Sequence, residues 1–207
     1  VVDRGYDRDV IGNGDGSAGD GALAGSFAGY GGLLMKVLVT GATGFVGSAV
    51  ARALIACGHD LRVLVRANSE RSNLLGLDVE EVQGDLRDPP SLARAVAGCA
   101  AVFHVAADYR LWAREPDDPY QSNITGTINL LAEAAKAGVE RSVYTSSVAV
   151  LGLGLSADGQ VIPSDEDTPV SLGDMIGHYK RSKFIAEDQV RRRISDEGWP
   201  VVIVNPS

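Results

Sequence analysis

The chain has 207 residues, of which 45% are hydrophobic and 22% charged, and its formal net charge is −8. This composition predicts a soluble globular protein, and an acidic balance without a long Lys/Arg run argues against nucleic acid as a partner. No apolar run reaches the roughly 18 residues that a membrane span needs. The three histidines and two cysteines lack metal-ligand spacing. We therefore expect no membrane span, no metal site and a cytoplasmic location, with Cys57 and Cys99 filling core space.

Residues 1–34 differ in composition from the rest of the chain. They hold ten of the 25 glycines, and their apolar residues follow neither the period of a strand nor that of a helix. Such a segment buries too little apolar surface to offset the entropy lost on ordering it. We predict a disordered extension over 1–34, ahead of a natural start at Met35-Lys36. A flexible regulatory tail is the alternative.

From Lys36 onward, predicted strands alternate with predicted helices. The strands are expected at Lys36–Thr40, Leu61–Val65, Val79–Gln83, Ala100–Ala106, Arg141–Ser146 and Val201–Asn205. The helices are expected from Phe45 to about Cys57, from Pro89 to Gly98, through residues 120–137 and over Gly173–Glu197, with a long loop at 151–173. This alternation is typical of an α/β fold of the Rossmann type, a doubly wound parallel sheet with helices on both faces. Ligands in such sheets bind beyond the carboxyl ends of the strands.

The first strand runs directly into three glycines, Gly41, Gly44 and Gly47, and a helical pattern follows. Gly41 permits the tight turn, Gly44 lets the backbone approach a pyrophosphate, and Gly47 lets the helix pack closely on the sheet. The helix N-terminus then offers unpaired N–H groups to the phosphates. The pattern predicts dinucleotide binding, and a tight strand–helix turn without a ligand is the alternative.

Tyr179 and Lys183 stand four residues apart in a predicted helix and therefore share a face. A nearby ammonium favours the phenolate and brings the pKa of a tyrosine towards a useful acid/base range. The alternative is an ordinary surface pair, because Y-x-x-x-K is common by chance. Ser146 and Ser147 end the fifth strand, where a hydroxyl can donate to a substrate carbonyl and accept from the phenol.

Taken together, residues 35–207 resemble the extended short-chain dehydrogenases, the NAD-dependent epimerase/dehydratase group. The glycine spacing G-x-x-G-x-x-G, the strand-end serines and the Tyr/Lys helix carry this resemblance. Phe103–Trp112 and Gly177–Phe184 look particularly similar to hopanoid-associated sugar epimerases, with dihydroflavonol-4-reductase-like enzymes as close cousins.

The resemblance implies a role for each matching residue. Ser147 matches the catalytic serine, with Ser146 able to share that role, and Tyr179 matches the acid/base. Lys183 matches the lysine that lowers the tyrosine pKa and holds the nicotinamide ribose, and Asn123 matches a catalytic-site asparagine that supports the network. Cofactor contacts are also implied for Gly41, Thr43, Gly44, Phe45, Val46, Gly47, Asp85, Leu86, Ala106, Ala107, Tyr179, Pro206 and Ser207, with Asp85 and Leu86 as the pair flanking the adenine. Tyr109, Arg110 and Trp112 follow the fourth strand and are candidates for a substrate pocket, although Trp112 is equally consistent with a packing role.

One position bears on the choice of cofactor. NAD-using relatives present an acid to the ribose 2′-OH at the end of the second strand, whereas this chain has Arg66, followed by Ser69 and Arg71. A guanidinium suits a 2′-phosphate through bidentate contacts. We therefore favour NADP(H) over NAD(H), with a solvent-facing arginine as the alternative.

The resemblance places a sugar epimerase first, acting on a small-molecule hydroxyl or ketone by tyrosine-assisted hydride transfer. An NADPH-dependent ketone or aldehyde reductase is the alternative, and a non-catalytic NADP(H)-sensing regulator is the alternative of another class. The resemblance also implies a homodimer through the helices that carry Asn123 and Tyr179. It further implies a C-terminal substrate lobe that is absent from this chain.

Overall fold

The computed structural model describes residues 34–109 and 118–207. The strands are β1 (Lys36–Thr40), β2 (Asp60–Val65), β3 (Glu80–Gln83), β4 (Ala101–His104), β5 (Arg141–Thr145), β6 (Gly154–Leu155), β7 (Val161–Ile162) and β8 (Val201–Val204). The helices are α1 (Phe45–Ala56), α2 (Pro89–Val96), α3 (Asp118–Tyr120), α4 (Gly126–Lys136) and α5 (His178–Glu197). A π-helical turn, Gln121–Thr125, joins α3 to α4.

Six of these strands form one parallel sheet in the order β3-β2-β1-β4-β5-β8. The order reverses next to β1, because the chain moves outward through β2 and β3 and then returns to place β4 on the other side. A crevice for a ligand opens at such a reversal, beyond the carboxyl ends of the strands. The predicted doubly wound parallel sheet is confirmed.

Apolar layers cover both faces of the sheet. Helix α1 packs through Ala51 on the face formed by Val37, Val39 and Val63. On the opposite face, α2 and α4 cover Leu38 and Val102, and α5 packs with α4 over Tyr144 of β5. Strands covered on both sides require long apolar runs, which explains why β1 and β2 were predicted accurately.

The start of α5 differs from the prediction. The helix begins at His178 rather than Gly173, because Gly177 has φ +86° and a helix cannot continue through that conformation. The preceding residues form a separate 3₁₀ turn, Leu172–Asp174, closed by a capping box between Ser171 and Asp174. The Tyr179 side chain therefore lies in the first turn of its helix.

Three further differences concern local structure. The strand expected to extend to Ala106 ends at His104, and the predicted helix through residues 120–137 contains the π-helical turn. Within the long loop, β6 and β7 pair as a short antiparallel hairpin. Cys57 is exposed at the end of α1, so the prediction that it fills core space is wrong, whereas Cys99 is buried.

Some predictions fall on residues whose structure is not described. Arg110, Trp112 and the extension up to residue 33 lie outside the described residues. Within the ranges 34–109 and 118–207, no helix is long and apolar enough to cross a membrane. The same ranges hold no group of three or more His, Cys, Asp or Glu placed to bind a metal ion.

Candidate active site

A cleft of about 1000 Å³ lies at the carboxyl edge of the sheet. It brings together residues from the loops after β1, β2, β3, β4 and β5, from α5 and from the end of the chain. Every residue predicted to contact the cofactor lines it, namely Gly41, Thr43, Gly44, Phe45, Val46, Gly47, Arg66, Asp85, Leu86, Ala106, Ala107, Tyr179, Lys183, Pro206 and Ser207. Ser146 and Ser147 line the same cleft, whereas Asn123 does not.

The three glycines of the first loop meet different constraints. Gly41 has φ +75°, and a Cβ there would lie 2.6 Å from the Ala106 nitrogen. A Cβ on Gly47 would lie 2.1 Å from the Gly41 carbonyl oxygen. Gly44 has an ordinary φ of −91°, and its nearest contact would be 3.3 Å. The protein itself therefore requires glycine at positions 41 and 47. At Gly44 an added Cβ would be tight only against the Gly41 carbonyl oxygen, and the absence of a side chain there fits the close approach of a ligand.

The start of α1 lines the cleft. Gly44 is the N-cap, no side chain among the described residues caps the helix, and its first turn contains no acidic residue. The first N–H groups of the helix are thus left for an anion, which the positive end of the helix dipole also favours. Asn73 holds the loop in place by donating from Nδ2 to the Thr43 carbonyl at 2.9 Å. These features fit a pyrophosphate.

Basic residues surround the opposite end of the cleft, beyond β2 and β3. Arg66 is exposed and lines the cleft with Ser69. Arg71 does not line it, because its Nε donates to Glu81 at 2.8 Å and its Nη1 donates to the Ser69 carbonyl at 2.9 Å. The structure therefore separates the two predicted arginines, since Arg71 braces the loop from which Arg66 projects.

The predicted adenine-flanking pair has a clear structural setting. Arg87 donates to both carboxylate oxygens of Asp85 at 3.0 Å, and this arginine holds the pKa of Asp85 below its usual range, with Arg66 adding to the effect. The carbonyl of Leu86 accepts from Asn129 Nδ2 at 3.1 Å. Gly126 lets α4 approach the Leu86 side chain, because a Cβ there would lie 2.7 Å from it.

Lys183 is almost fully buried, with 1% of its surface exposed. Its ammonium donates to the Thr145 carbonyl at 2.8 Å and lies 4.5 Å from the centre of the Tyr144 ring. Burial lowers the pKa of Lys183 to about 8, and the negative charge of Glu187 one turn further along α5 opposes this effect. A lysine held in this way is a fixed donor at the floor of the cleft.

Tyr179 is half-buried and is positioned through its main chain. Its carbonyl accepts from Ser182 Oγ at 2.8 Å, and Ser182 Oγ accepts from Asn123 Nδ2 at 2.9 Å. Asn123 also exchanges two hydrogen bonds with the main chain of Asp108, at 2.7 and 2.9 Å. Asn123 is buried and does not line the cleft, so its contacts fit a residue that positions its neighbours, and its place among the catalytic residues stays a prediction.

The two serines at the end of β5 differ in their bonding. Ser147 Oγ accepts from the Ala149 nitrogen at 3.1 Å and caps a 3₁₀ turn, so its hydroxyl proton remains available to donate. Ser146 is 4% exposed, its Oγ lies near the Tyr144 hydroxyl, and neither oxygen makes a hydrogen bond of good geometry within the described residues. A buried hydroxyl that lines a cleft and lacks a partner is ready for a ligand atom.

A buried polar chain lies behind the cleft. His104 contacts Thr40 Oγ1 at 2.7 Å through Nδ1 and Thr127 Oγ1 at 2.9 Å through Nε2. Thr127 in turn donates to the Asn123 carbonyl at 2.7 Å. Burial lowers the pKa of His104 to about 3, with the charge of Lys183 adding to the effect, so the ring is neutral. This chain connects β1 to the π-helical turn that holds Asn123.

Sequence reasoning missed several residues of the cleft. Arg87 and Ser122 line it, and the Thr145 carbonyl holds Lys183. Arg87 stands two positions after Asp85 and Ser122 directly before Asn123, so proximity to predicted residues was a usable signal for both. A main-chain acceptor such as the Thr145 carbonyl has no signature in the sequence.

A family model described as the NAD dependent epimerase/dehydratase family matches residues 37–207. The chain belongs to this family. Its relatives are named as reductases, epimerases and dehydrogenases, so the predictions of an enzyme family and of nicotinamide dinucleotide dependence are confirmed at that level. The hopanoid association and the preference for NADP(H) are finer statements that these matches do not show.

Individual relatives agree with this assignment. A protein of Synechocystis sp. named "Putative dihydroflavonol 4-reductase" is 46% identical over 169 residues, which cover 82% of this chain and 48% of that protein. The crystal structure of gox2253 superposes with a TM-score of 0.76 at 54% identity, covering 83% of this chain and 51% of that one. A Thermus thermophilus UDP-glucose 4-epimerase complex with NAD has a TM-score of 0.68 at 27% identity, covering 83% and 54%. The chain thus spans about half the length of the first relatives it matches.

Proposed function

We propose that this chain carries the cofactor-binding and acid/base residues of an NADP(H)-dependent reductase that interconverts a ketone or aldehyde with an alcohol. The observation behind the proposal is that Tyr179, Lys183 and Ser147 open onto the same cleft as the glycine loop. When bound, the nicotinamide supplies the carbon that gives or takes hydride. The residues of the chain then need only orient the substrate oxygen and move its proton.

In this proposal Tyr179 gives a proton to the substrate oxygen as the carbonyl is reduced and takes it back in the reverse direction. Lys183 stabilises the phenolate through its positive charge, and the Thr145 carbonyl holds this ammonium at the floor of the cleft. Ser147 orients and polarises the substrate oxygen with its free hydroxyl proton, and the unpartnered Ser146 hydroxyl is available beside it. Asn123 keeps the first turn of α5 in place.

Preference for NADP(H) is supported by the basic end of the cleft. Arg66 projects there beside Ser69, on a loop braced by Arg71. A guanidinium pairs with the doubly ionised 2′-phosphate of NADP(H) and gains nothing comparable from the 2′-OH of NAD(H). A preference for NADP(H) fits net reduction, because NADPH would supply the hydride that each turnover consumes.

Epimerisation of a nucleotide sugar is the second candidate. It is supported by relatives named UDP-glucose 4-epimerase, one of which, from Neisseria meningitidis, is 33% identical over 183 residues. The resemblance in the sequence places the epimerase first. We place the reductase before the epimerase, because the position of Arg66 favours NADPH. The relatives also include several proteins named as reductases.

The test is a turnover assay of the complete protein with two arms. One arm follows NADPH consumption with a panel of ketones and aldehydes, and the other follows conversion of UDP-galactose to UDP-glucose with NAD. We expect NADPH-dependent reduction, and we expect Tyr179→Phe to lower kcat by about a hundredfold or more while NADPH still binds. Activity in the second arm alone establishes the epimerase, and undiminished function of the Tyr179→Phe variant would establish a non-catalytic sensor.

Several predictions from the sequence remain predictions. These are the division into an extension over 1–34 and a domain over 35–207, the hopanoid association, the homodimer through the helices that carry Asn123 and Tyr179, and the cytoplasmic location.

A further inference from the structure

A buried carboxylate lies directly behind the proposed site. Glu187 stands on α5 one turn after Lys183, is 6% exposed and does not line the cleft. Its Oε1 accepts from Arg191 Nε at 2.9 Å and from Arg191 Nη2 at 2.8 Å, and its Oε2 accepts from Asn205 Nδ2 at 2.9 Å. Burying a carboxylate is costly unless both oxygens are paired. The hydrogen bonds from Arg191 and Asn205 pair both carboxylate oxygens and offset that cost.

The bond to Asn205 continues into the active site. The same Asn205 Nδ2 donates to the Ser147 carbonyl at 3.2 Å. On either side of this bond, the Ser146 nitrogen donates to the Val204 carbonyl at 2.8 Å and the Val148 nitrogen donates to the Pro206 carbonyl at 3.2 Å. Three consecutive residues, Ser146 to Val148, are therefore held by the last residue of β8 and the two residues after it, and Glu187 binds the side chain that makes the central contact.

Glu187 also acts on the lysine of the site. The groups that interact with the Lys183 ammonium are Tyr144 of β5, the neutral His104 of β4 and Glu187 on its own helix, and Tyr179 stands one turn earlier on that helix. Glu187 is the anionic group among them, and its charge raises the pKa of Lys183 while burial lowers it. Arg191, on the far side of Glu187, partly screens this charge.

We propose that Glu187 is a positioning residue for the Ser147–Tyr179–Lys183 site, fixing the Ser147 main chain through Asn205 and placing a negative charge behind the Lys183 ammonium. This inference rests on the proposed function, because it assigns Glu187 a role in the same site. It acts through its neighbours, since its carboxylate does not line the cleft.

The first test measures NADPH affinity against pH in the complete protein, comparing wild type with Glu187→Gln. NADPH binding should weaken as Lys183 loses its proton. Because the Glu187 charge raises the pKa of Lys183, its removal should move the midpoint of that loss down by roughly one pH unit. Asp188→Asn is the matched control, because Asp188 forms an ion pair of the same i,i+4 spacing with Arg192 at 2.8 Å on the exposed side of the same helix. Its midpoint should equal that of wild type.

The second test separates the positional effect from the electrostatic one. Asn205→Ala keeps the Glu187–Arg191 pair and the Glu187 charge, and removes the connection to Ser147 together with the hydrogen bond to Glu187 Oε2. In the carbonyl-reduction assay it should lower kcat by about tenfold and leave both the KM for NADPH and the pH midpoint unchanged. Because this variant retains the Glu187–Arg191 ion pair, it tests the positional role even if Glu187→Gln does not fold.

The outcomes distinguish this inference from the proposed function. An unchanged midpoint in folded Glu187→Gln, or a wild-type kcat in Asn205→Ala, overturns the role of Glu187 while leaving the reductase proposal intact. Failure of the wild-type protein to bind NADPH or NADH overturns the proposed function, and the inference with it.

Discussion

Replacing Lys183 by methionine should change how the stability of the protein depends on pH. In the folded protein, burial lowers the pKa of Lys183 to about 8, from its ordinary value of 10.5. Between these two values the unfolded chain keeps the proton on Lys183 while the folded chain releases it. Since the unfolded state binds more protons there, the contribution of this group to stability rises with pH across that window.

The size of the effect follows from the two pKa values. One pKa unit corresponds to about 1.4 kcal/mol, so the free energy of unfolding should rise by about 3 kcal/mol from pH 8 to pH 10.5 on account of Lys183 alone. Below pH 8 the group is charged in both states, and the full cost of burying the ammonium is present. Methionine keeps the length of the side chain and cannot titrate.

The assay is urea denaturation at half-unit pH steps from 7 to 10.5, for wild type and Lys183→Met. Other lysines, tyrosines and cysteines titrate in the same range, so the informative quantity is the difference in unfolding free energy between the two proteins. Lys180→Met is the matched control, because Lys180 is exposed on the same helix, and its difference from wild type should stay flat. A flat difference for Lys183→Met as well would refute the claim that the ammonium is buried.

Three other predictions concern the loop, the cofactor and acid stability. Gly47→Ala should lower the free energy of unfolding by more than about 3 kcal/mol, because its Cβ would lie 2.1 Å from the Gly41 carbonyl oxygen. A decrease of less than about 1 kcal/mol in chemical denaturation would contradict this. Arg66→Ala should weaken NADPH binding about tenfold while leaving NADH binding within about twofold, and equal losses in a parallel titration would speak against a 2′-phosphate contact. Burial lowers the pKa of His104 to about 3, so the unfolded chain takes up a proton that the folded chain refuses, and stability should fall by roughly 4 kcal/mol as the pH drops from 6.5 towards 3. His104→Gln should flatten this acid dependence, and a parallel slope for the two proteins would count against it.

The part of the fold that could be predicted is the part whose cause is local. Gly41 needs a positive φ, and the strand before it is buried on both faces, so the β1–α1 unit carries its own signature in the sequence. The start of α5 could not be predicted in this way. Its helical pattern extends back to residue 173, and only the φ of Gly177 shows that the helix begins later.

In the candidate site too, the residues with a local sequence signal could be predicted and the others could not. Tyr179 and Lys183 were predictable because four-residue spacing on a helix fixes their common face. Nothing local shows that Arg71 is engaged by Glu81 while Arg66 stays at the cleft. The contact from Glu187 through Asn205 to Ser147 was equally inaccessible, because it joins α5, β8 and β5, which meet only when the sheet has formed.

Titration of the complete protein with NADPH and, separately, with NADH tests directly whether the cleft binds a nicotinamide dinucleotide. Energy transfer from tryptophan to the reduced nicotinamide reports binding, and Trp199 is available as a donor. We expect saturable binding of both dinucleotides, with NADPH bound more tightly than NADH and this difference abolished by Arg66→Asp. Folded protein that binds neither dinucleotide would contradict the assignment of the cleft as a nicotinamide cofactor site.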